Sequence, residues 1–531
     1  MYPTATECRN TMTRESFYLT TPIYYVNAVP HLGTAYTTIA ADALARYRRL
    51  RGDDVFFLTG LDEHGQKVEQ AAEANGVSPQ EWADRMAAKF ISAWEMLDIS
   101  NDDFVRTTEP RHERGVQALL KVLWDRGDIY KGLYEGWYCV PCETYHTEEQ
   151  LTEDHTCPSC GRSVEFVHED NYFFKLSAYQ DELLAYYEAN PDFIQPDTRR
   201  NEVLSFVKGG LRDLSISRAN VKWGIPLPFD EAQSVYVWFD ALINYVTAIG
   251  YGDPERAESF AKRWPVQLHF VGKDIIRFHC VIWPAMLLAA GLPLPKRVFA
   301  HGFLLTKGEK MSKSKGNAMA PAELVEKFGV DGYRYYFLRD VQFGTDGSIS
   351  LEGMVQRFNS DLANDWGNLC SRLFNMVGKY CAGVVPDPAA SPIETEDDAE
   401  LKSIARDLYI CYEARMDRLD YAGALEATWE LVKRTNRYIE DSAPWNLAKS
   451  EETIGRLHAV LYNALEAVRI AALFTAPVMP RSSVEVWSRL GLGNIFAVTD
   501  LAAECEWGRL PVGSPVVKGE ALFQRIVDDA E

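Results

Sequence analysis

Two Cys-x-x-Cys pairs, Cys139-x2-Cys142 and Cys157-x2-Cys160, constrain this chain more than any other feature. Fourteen residues separate the inner cysteines, a spacing at which four thiolates close on one tetrahedral zinc ion. Four sulfur ligands leave no coordination position open, so the predicted zinc is structural, one per chain. His146 and His155 lie between the pairs; with four thiolates on the metal they are expected to be bystanders. The other six of the ten cysteines are scattered, and the first 16 residues are polar with no signal-peptide apolar region. Metal binding, and not a secreted disulfide scaffold, is the reading.

The metal-binding stretch interrupts a β/α pattern. Before it, Phe17 to Thr21 is a short β-prone run, and Pro22 and Pro30 punctuate the loop expected after it. An alanine-rich segment from Thr37 puts Ile39, Ala43, Tyr47 and Leu50 on one helical face, with Gly52 suited to its C-terminal cap. Val55 to Leu58 is a continuous apolar run, as in a parallel strand covered on both faces. Well after the cysteines come a strand over 266–271, a helix over 275–288 and a strand over 298–304. The fold class predicted is α/β, a doubly wound, Rossmann-like parallel sheet split by an inserted zinc-binding domain. From about residue 355, helical periodicity dominates over 355–380, 399–418, 421–440 and 454–474, which reads as an all-α bundle. The expected spans are 13–125 and 226–354 for the two halves of the sheet domain, 126–225 for the insertion and 355–531 for the bundle.

With 531 residues, 47% of them apolar and 25% charged, the chain suits a soluble protein of several domains. Its net charge of -21 offers no general attraction for nucleic acid, so any such binding must rest on local sites. The most apolar long segment, 454–474, contains Arg456, Glu466 and Arg469. Its apolar residues at 454, 457, 461, 465, 468 and 472 follow the spacing of a buried helix face. No membrane partner and a cytoplasmic location are expected.

Two motifs carry chemistry. His31-Leu32-Gly33-Thr34 falls between a strand and a helix start, where free N–H groups and the dipole favour phosphate. Gly33 lets a flat base approach the backbone. Lys310-Met311-Ser312-Lys313-Ser314 alternates lysine with small hydroxyl residues inside a glycine-flanked run. Such a loop can close over a triphosphate and neutralise charge developing on a leaving pyrophosphate. In this order, each at a strand exit, the two motifs resemble the "HIGH" and "KMSKS" signatures of class I aminoacyl-tRNA synthetases.

Surrounding segments narrow the resemblance to the methionyl-tRNA synthetases: Thr20-Thr-Pro-Ile-Tyr-Tyr-Val-Asn27, Thr59-Gly-Leu-Asp-Glu-His-Gly65, Tyr236 to Tyr245 and His269 to His279. It runs from about Phe17 to the C-terminus. The resemblance implies an AMP-forming methionine–tRNA ligase (EC 6.1.1.10). Methionine would react with ATP to give methionyl-adenylate and pyrophosphate, and then pass to the 3′ end of tRNA(Met). ATP, methionine and tRNA(Met) are the implied partners, with Mg2+ accompanying ATP. His31, Gly33, Thr34, Asp274, Lys310 and Lys313 would serve ATP. One departure stands out: Thr34 occupies the place of the family's second histidine. A threonine hydroxyl can donate to phosphate but carries no charge, which puts more of the load on His31.

Methionine is long, unbranched and apolar, with a weakly accepting sulfur. Its pocket needs aromatic walls and a donor or two. Ile275, His279 and Trp283 are spaced by four on one helix face, and Trp238, Ala241 and Tyr245 repeat the pattern. By resemblance these six line the pocket with Ile23 and Tyr25. Asp62 would hold the substrate ammonium, with the polar tips of Tyr245 and His279 near the sulfur. In the bundle, Asn368 and Arg372, with Pro444 and Trp445, match the family's anticodon contacts; Trp445 can stack on an unpaired base.

Two alternatives remain at this point: another class I synthetase, and a non-catalytic tRNA-binding relative. The first fits poorly with Tyr245 and His279, and the insertion is short for an editing domain. The second fits poorly with His31 and the lysine loop. Residues 1–11 are expected to be dispensable, with Met12 as a possible start. Only eleven residues follow Leu510–Glu520, which resembles the strand closing the family core, so a monomer is expected.

Overall fold

The computed structural model describes residues 15–158, 160–306, 309–310, 320–391 and 393–527. Its centre is a six-stranded sheet in which every neighbouring pair is parallel. In chain order its strands are β1 (Ser16–Tyr25), β2 (Asp54–Asp62), β3 (Asp103–Arg106), then Ile194–Gln195, Leu268–Gly272 and Val298–His301, numbered β7, β8 and β9. The order across the sheet is β3-β2-β1-β8-β9-β7. The chain reverses its winding between β1 and β8, the place where open α/β sheets bind ligands.

β1 runs further than the sequence suggests. Pro22 lies inside the strand, where the register with β2 shifts between Thr20 and Ile23. Proline cannot donate to a ladder, and this irregularity accommodates it. Helix α1 (Leu32–Arg51) follows and stops at Gly52, which takes the left-handed conformation at φ 98°.

The insertion is built on a hairpin of β4 (Ile129–Cys139) and β6 (Glu165–Phe174), with β5 (Thr144–His146) beside β4. Strand β7 lies within the span 126–225 yet pairs with β9 at the edge of the central sheet. A two-residue strand carries no period that could have been read in advance.

Beyond the sheet, helices fill the chain: Leu351–Arg357, a π-helical stretch Phe358–Gly367, Asn368–Tyr380, Glu396–Met416, Tyr421–Ser442, Ile454–Thr475 and Pro480–Arg489. Glu451–Thr475 is long and apolar enough to cross a membrane, yet 94% of its most apolar window is buried inside the protein. Its charged pair explains the fit: Arg469 donates to Glu466 at 2.7 Å, and Glu466 accepts from the N–H groups of Gly508, Arg509 and Leu510.

One hydrophobic core joins α1 and one face of the sheet to the bundle; a second lies on the opposite face beneath the insertion. Arg334, fully buried on Pro321–Asp340, ties the parts together. It donates to Asp42 on α1, to Leu97 O and to Pro477 O and Val478 O before the last long helix. Burial alone would raise the Asp42 carboxyl, but Arg46 and Arg334 overcome it and hold it at about 2.

Candidate active site

The carboxyl ends of three parallel neighbours, β2, β1 and β8, lie side by side. After β1, His31 caps α1. Its Nδ1 accepts the N–H groups of Gly33 and Thr34 at 3.1 and 3.3 Å. An accepting Nδ1 carries no proton, so the ring is the Nε2–H tautomer, a donor suited to a phosphate oxygen. Thr34 has a task the sequence did not suggest. Its hydroxyl accepts from His31 N–H at 3.0 Å and donates to His31 O at 2.8 Å, closing a capping box. Those bonds occupy the hydroxyl proton that was expected to reach phosphate.

At the end of β8, Asp274 is exposed. Gly272 lets the Asp274 carboxylate lie close to the backbone: a Cβ there would fall 2.4 Å from Oδ1 and push it aside. Lys273 pairs with Asp346 at 2.7 Å, and Asp346 also accepts the Phe303 N–H at 2.8 Å. That bridge braces the approach to the lysine loop. Lys310 sits in a short strand opposite Leu305; Lys313 lies outside the described residues.

Several of the aromatic residues assigned to the methionine pocket lie together. Trp238 stacks on Phe278 at 4.1 Å, and Tyr245 packs on His269 and Trp283. Ala241 and Trp283 are buried, while Ile23, Tyr25 and Ile275 are partly buried against the same core. The helix carrying Ile275, His279 and Trp283 is not regular: a 3-10 turn at Lys273–Ile275 leads into a π-helical stretch over Phe278–Ile282, an arrangement often found at functional sites. His279 Nδ1 lies 3.0 Å from Ile275 O and must donate to it, so Nε2 accepts the Tyr245 hydroxyl at 2.7 Å. Burial pushes His279 down to about 4, which keeps it neutral. The two polar tips expected at the sulfur are thus bonded to each other in this structure. Trp283 Nε1 and His269 Nε2, both buried beside them, lack partners.

Asp62, at the end of β2, is the most telling group. It is 4% exposed, and its Oδ1 has no hydrogen-bond partner. Burial, with Asp240, Glu143 and Glu63 nearby, holds its carboxyl well above the usual carboxylate range. A buried carboxylate with an orphan oxygen is stabilised by an arriving cation.

Sequence reasoning missed the network behind it. Asp240 accepts from His64 Nδ1 and His112 Nε2, both at 2.7 Å, and His112 Nδ1 meets Thr247 at 2.8 Å. Burial would raise Asp240, but the two imidazoles hold it down to about 2. The only sequence sign was a charged residue on an otherwise apolar helix, Val237–Thr247.

The four cysteine sulfurs lie within 4.8 Å of one another. Cys139 and Cys160 are 3.6 Å apart, and Cys142 and Cys157 are 4.0 Å apart. A tetrahedron with zinc–sulfur bonds of about 2.3 Å has edges near 3.8 Å, so the cluster fits zinc. Burial pushes the Cys139 thiol up to about 12; a divalent cation is what would let such sulfurs ionise together. His155 points to Glu148 instead. His146 is closer than a bystander: its Nε2 is 3.4 Å from Cys157 Sγ, as an outer-shell partner would be.

In the bundle, Asn368 and Arg372 stand one turn apart near the start of Asn368–Tyr380. Arg372 lies 3.5 Å from Glu440, near the end of the helix Tyr421–Ser442. Ala443, at φ 41°, then turns the chain into Pro444–Leu447, burying Pro444 and leaving Trp445 40% exposed.

Comparison with known proteins shows the family of the chain. Residues 17–374 match the family model "tRNA synthetases class I (M)", and 386–531 match "Anticodon binding domain of methionyl tRNA ligase". The methionine–tRNA ligase of Thermotoga maritima is 51% identical, covering 96% of this chain and 80% of its own length. That of Streptomyces coelicolor is 48% identical over 96% of this chain and 97% of its own. The methionyl-tRNA synthetase of Mycobacterium tuberculosis, solved in complex with methionyl-adenylate, superposes with a TM-score of 0.91. It is 45% identical, covering 96% of this chain and all of the other.

Proposed function

The chain belongs to the class I methionyl-tRNA synthetases, and from that premise we propose how its own residues divide the work. It is a methionine–tRNA ligase, AMP-forming, EC 6.1.1.10. That excludes the two alternatives, another class I specificity and a non-catalytic relative.

In the first step a methionine carboxylate oxygen bonds to the α-phosphorus of ATP, and the bond to the β-phosphate breaks to release pyrophosphate. No side chain need become a covalent nucleophile; positioning and charge stabilisation suffice. The observation that carries the reading is the orphan Oδ1 of buried Asp62 at the end of β2, beside the aromatic pocket. It would accept the methionine ammonium, and Ile23, Tyr25, Trp238, Ala241, Ile275 and Trp283 would enclose the side chain. The Tyr245–His279 pair would meet the sulfur, after its internal bond opens or turns. His31 Nε2–H, at the positive end of the α1 dipole, would face the phosphates, Gly33 the base and Asp274 the ribose. Lys310 and Lys313 would meet the pyrophosphate, with Mg2+ entering on ATP. A zinc held by Cys139, Cys142, Cys157 and Cys160 would close the knuckle. In the bundle Asn368, Arg372, Pro444 and Trp445 would read the anticodon of tRNA(Met). All these residues come from one chain, so a monomer suffices; light scattering at micromolar concentration checks it.

Methionine-dependent ATP–pyrophosphate exchange, followed by charging of tRNA(Met), tests the reading; exchange that ignores methionine would defeat it. Lys313→Ala should lower the adenylation rate by about 10²–10³-fold while methionine affinity stays constant, as expected of a group engaged only as charge develops.

A further inference from the structure

The metal-binding knuckle and the methionine pocket meet at one residue. Glu143 follows Cys142 directly and holds a left-handed backbone, φ 48°, which is costly for a side chain of this kind. Catalytic-domain side chains grip the segment around it. Lys67 Nζ donates to Pro141 O at 3.0 Å, Trp238 Nε1 to Cys142 O at 3.4 Å and Tyr236 OH to Glu143 O at 2.6 Å. The left-handed turn directs the Glu143 carboxylate inward, where only 3% of the residue is exposed. There it accepts the Lys67 N–H at 3.0 Å and meets the Tyr25 hydroxyl. Gly65 makes room: a Cβ on it would lie 2.6 Å from one Glu143 oxygen and 2.9 Å from the Tyr25 hydroxyl. The single Tyr25 hydroxyl proton is shared between the Glu143 carboxylate and His64 O, 3.1 Å away and two residues past Asp62.

We propose that Glu143 is a positioning residue that fixes Tyr25 and the Asp62 end of β2 to the knuckle, so that zinc loading sets methionine affinity. The inference rests on the assignment of Tyr25 and Asp62 to the methionine site. It makes the knuckle a support for amino-acid binding and gives the strained backbone at Glu143 a purpose. The carboxylate acts through Tyr25 and Lys67 and need not touch the substrate.

The test uses the full zinc-loaded chain, with Glu143→Ala and Glu143→Gln. Zinc per chain is measured by elemental analysis, methionine affinity by tryptophan fluorescence without ATP, and the ATP KM by pyrophosphate exchange. Glu143→Ala should keep one zinc and its ATP KM, and weaken methionine about tenfold, as for loss of a buried charged hydrogen bond. Glu143→Gln, which can still accept from Lys67 and meet Tyr25, should restore most of the affinity. Chelating zinc from the wild type should weaken methionine at least as much, and chelation should add little in Glu143→Ala. Unchanged methionine affinity in Glu143→Ala would overturn the proposal. So would loss of zinc in step with affinity, failure of glutamine to rescue, or additive effects of chelation and substitution. A wild type whose exchange does not depend on methionine would instead defeat the site assignment itself.

Discussion

At the carboxyl end of β2, Asp62 is buried with an oxygen unpartnered, and Tyr245 and Trp283 near it are closed off from water. Some distance along the chain, Trp445 leaves 40% of its surface in solvent, and Arg372 rests loosely against an exposed glutamate. The difference follows from the proposed ligands. A small amino acid presents few atoms, so each contact must be made in a desolvated, pre-organised pocket where charge counts most. An RNA loop brings its own large surface and flat bases, so its receptor can wait exposed and stack on arrival. The first region is expensive to build and intolerant of change; the second depends on a few prominent side chains.

The largest expected effect lies in the buried region. Asp62→Asn removes the charge proposed for the ammonium with little change of shape. Truncating a buried charge pair costs about 2–5 kcal/mol, or roughly 30- to 5,000-fold, and exchange should fall by that factor while tRNA binding holds. Equal loss of tRNA binding in a filter assay would erase the distinction between the regions.

Trp445→Ala probes the exposed one. Losing a base–aromatic stack costs roughly 1–3 kcal/mol, or about 5- to 150-fold, in kcat/KM for tRNA charging. Exchange should be untouched. A matching fall in exchange would show that the bundle supports the pocket and does not only read RNA.

A pH series sharpens the contrast. Burial raises the Asp62 carboxyl above the usual carboxylate range, and only its ionised form holds an ammonium. Methionine affinity should therefore weaken as pH falls, beginning at a higher pH than an ordinary carboxylate would give. A flat profile down to pH 5 would mean that Asp62 stays ionised or does not bind the amine.

The smallest effect concerns the N-terminus of α1. Thr34→Ala removes the hydroxyl that closes the His31 cap and should cost about 1 kcal/mol of stability, as cap losses do. Exchange should slow only as far as His31 loses its orientation. A large loss in ATP affinity with unchanged melting would return Thr34 to the phosphates.

How much of this was legible in the sequence depends on the range of the interactions. The cysteine spacing is local, and the four sulfurs are together. Helical periodicity is local too and put His279 and Trp283 on one face; that Tyr245 lies against them came only with the family resemblance. Irregular backbone was not legible: Pro22 inside β1, the π-helical stretch before Trp283 and the left-handed Glu143 each depend on packing from distant segments. Nor were the buried polar pairings. His64, His112 and Asp240 come from three separate elements, and their mutual hydrogen bonds exist only once the sheet is formed. Thr34 shows the converse: its residue type suggested a phosphate donor, and local geometry gave it a capping bond first.

The central claim is that a buried, unpartnered carboxylate recruits the amino end of methionine. Its most direct test is the binding of methionine and its desamino analogue, 4-(methylthio)butanoate, to the wild type and to Asp62→Asn, followed by tryptophan fluorescence without ATP. The wild type should bind methionine and largely reject the analogue, while Asp62→Asn should lose that preference. Methionine binding by Asp62→Asn at wild-type affinity, with the preference intact, would contradict the account.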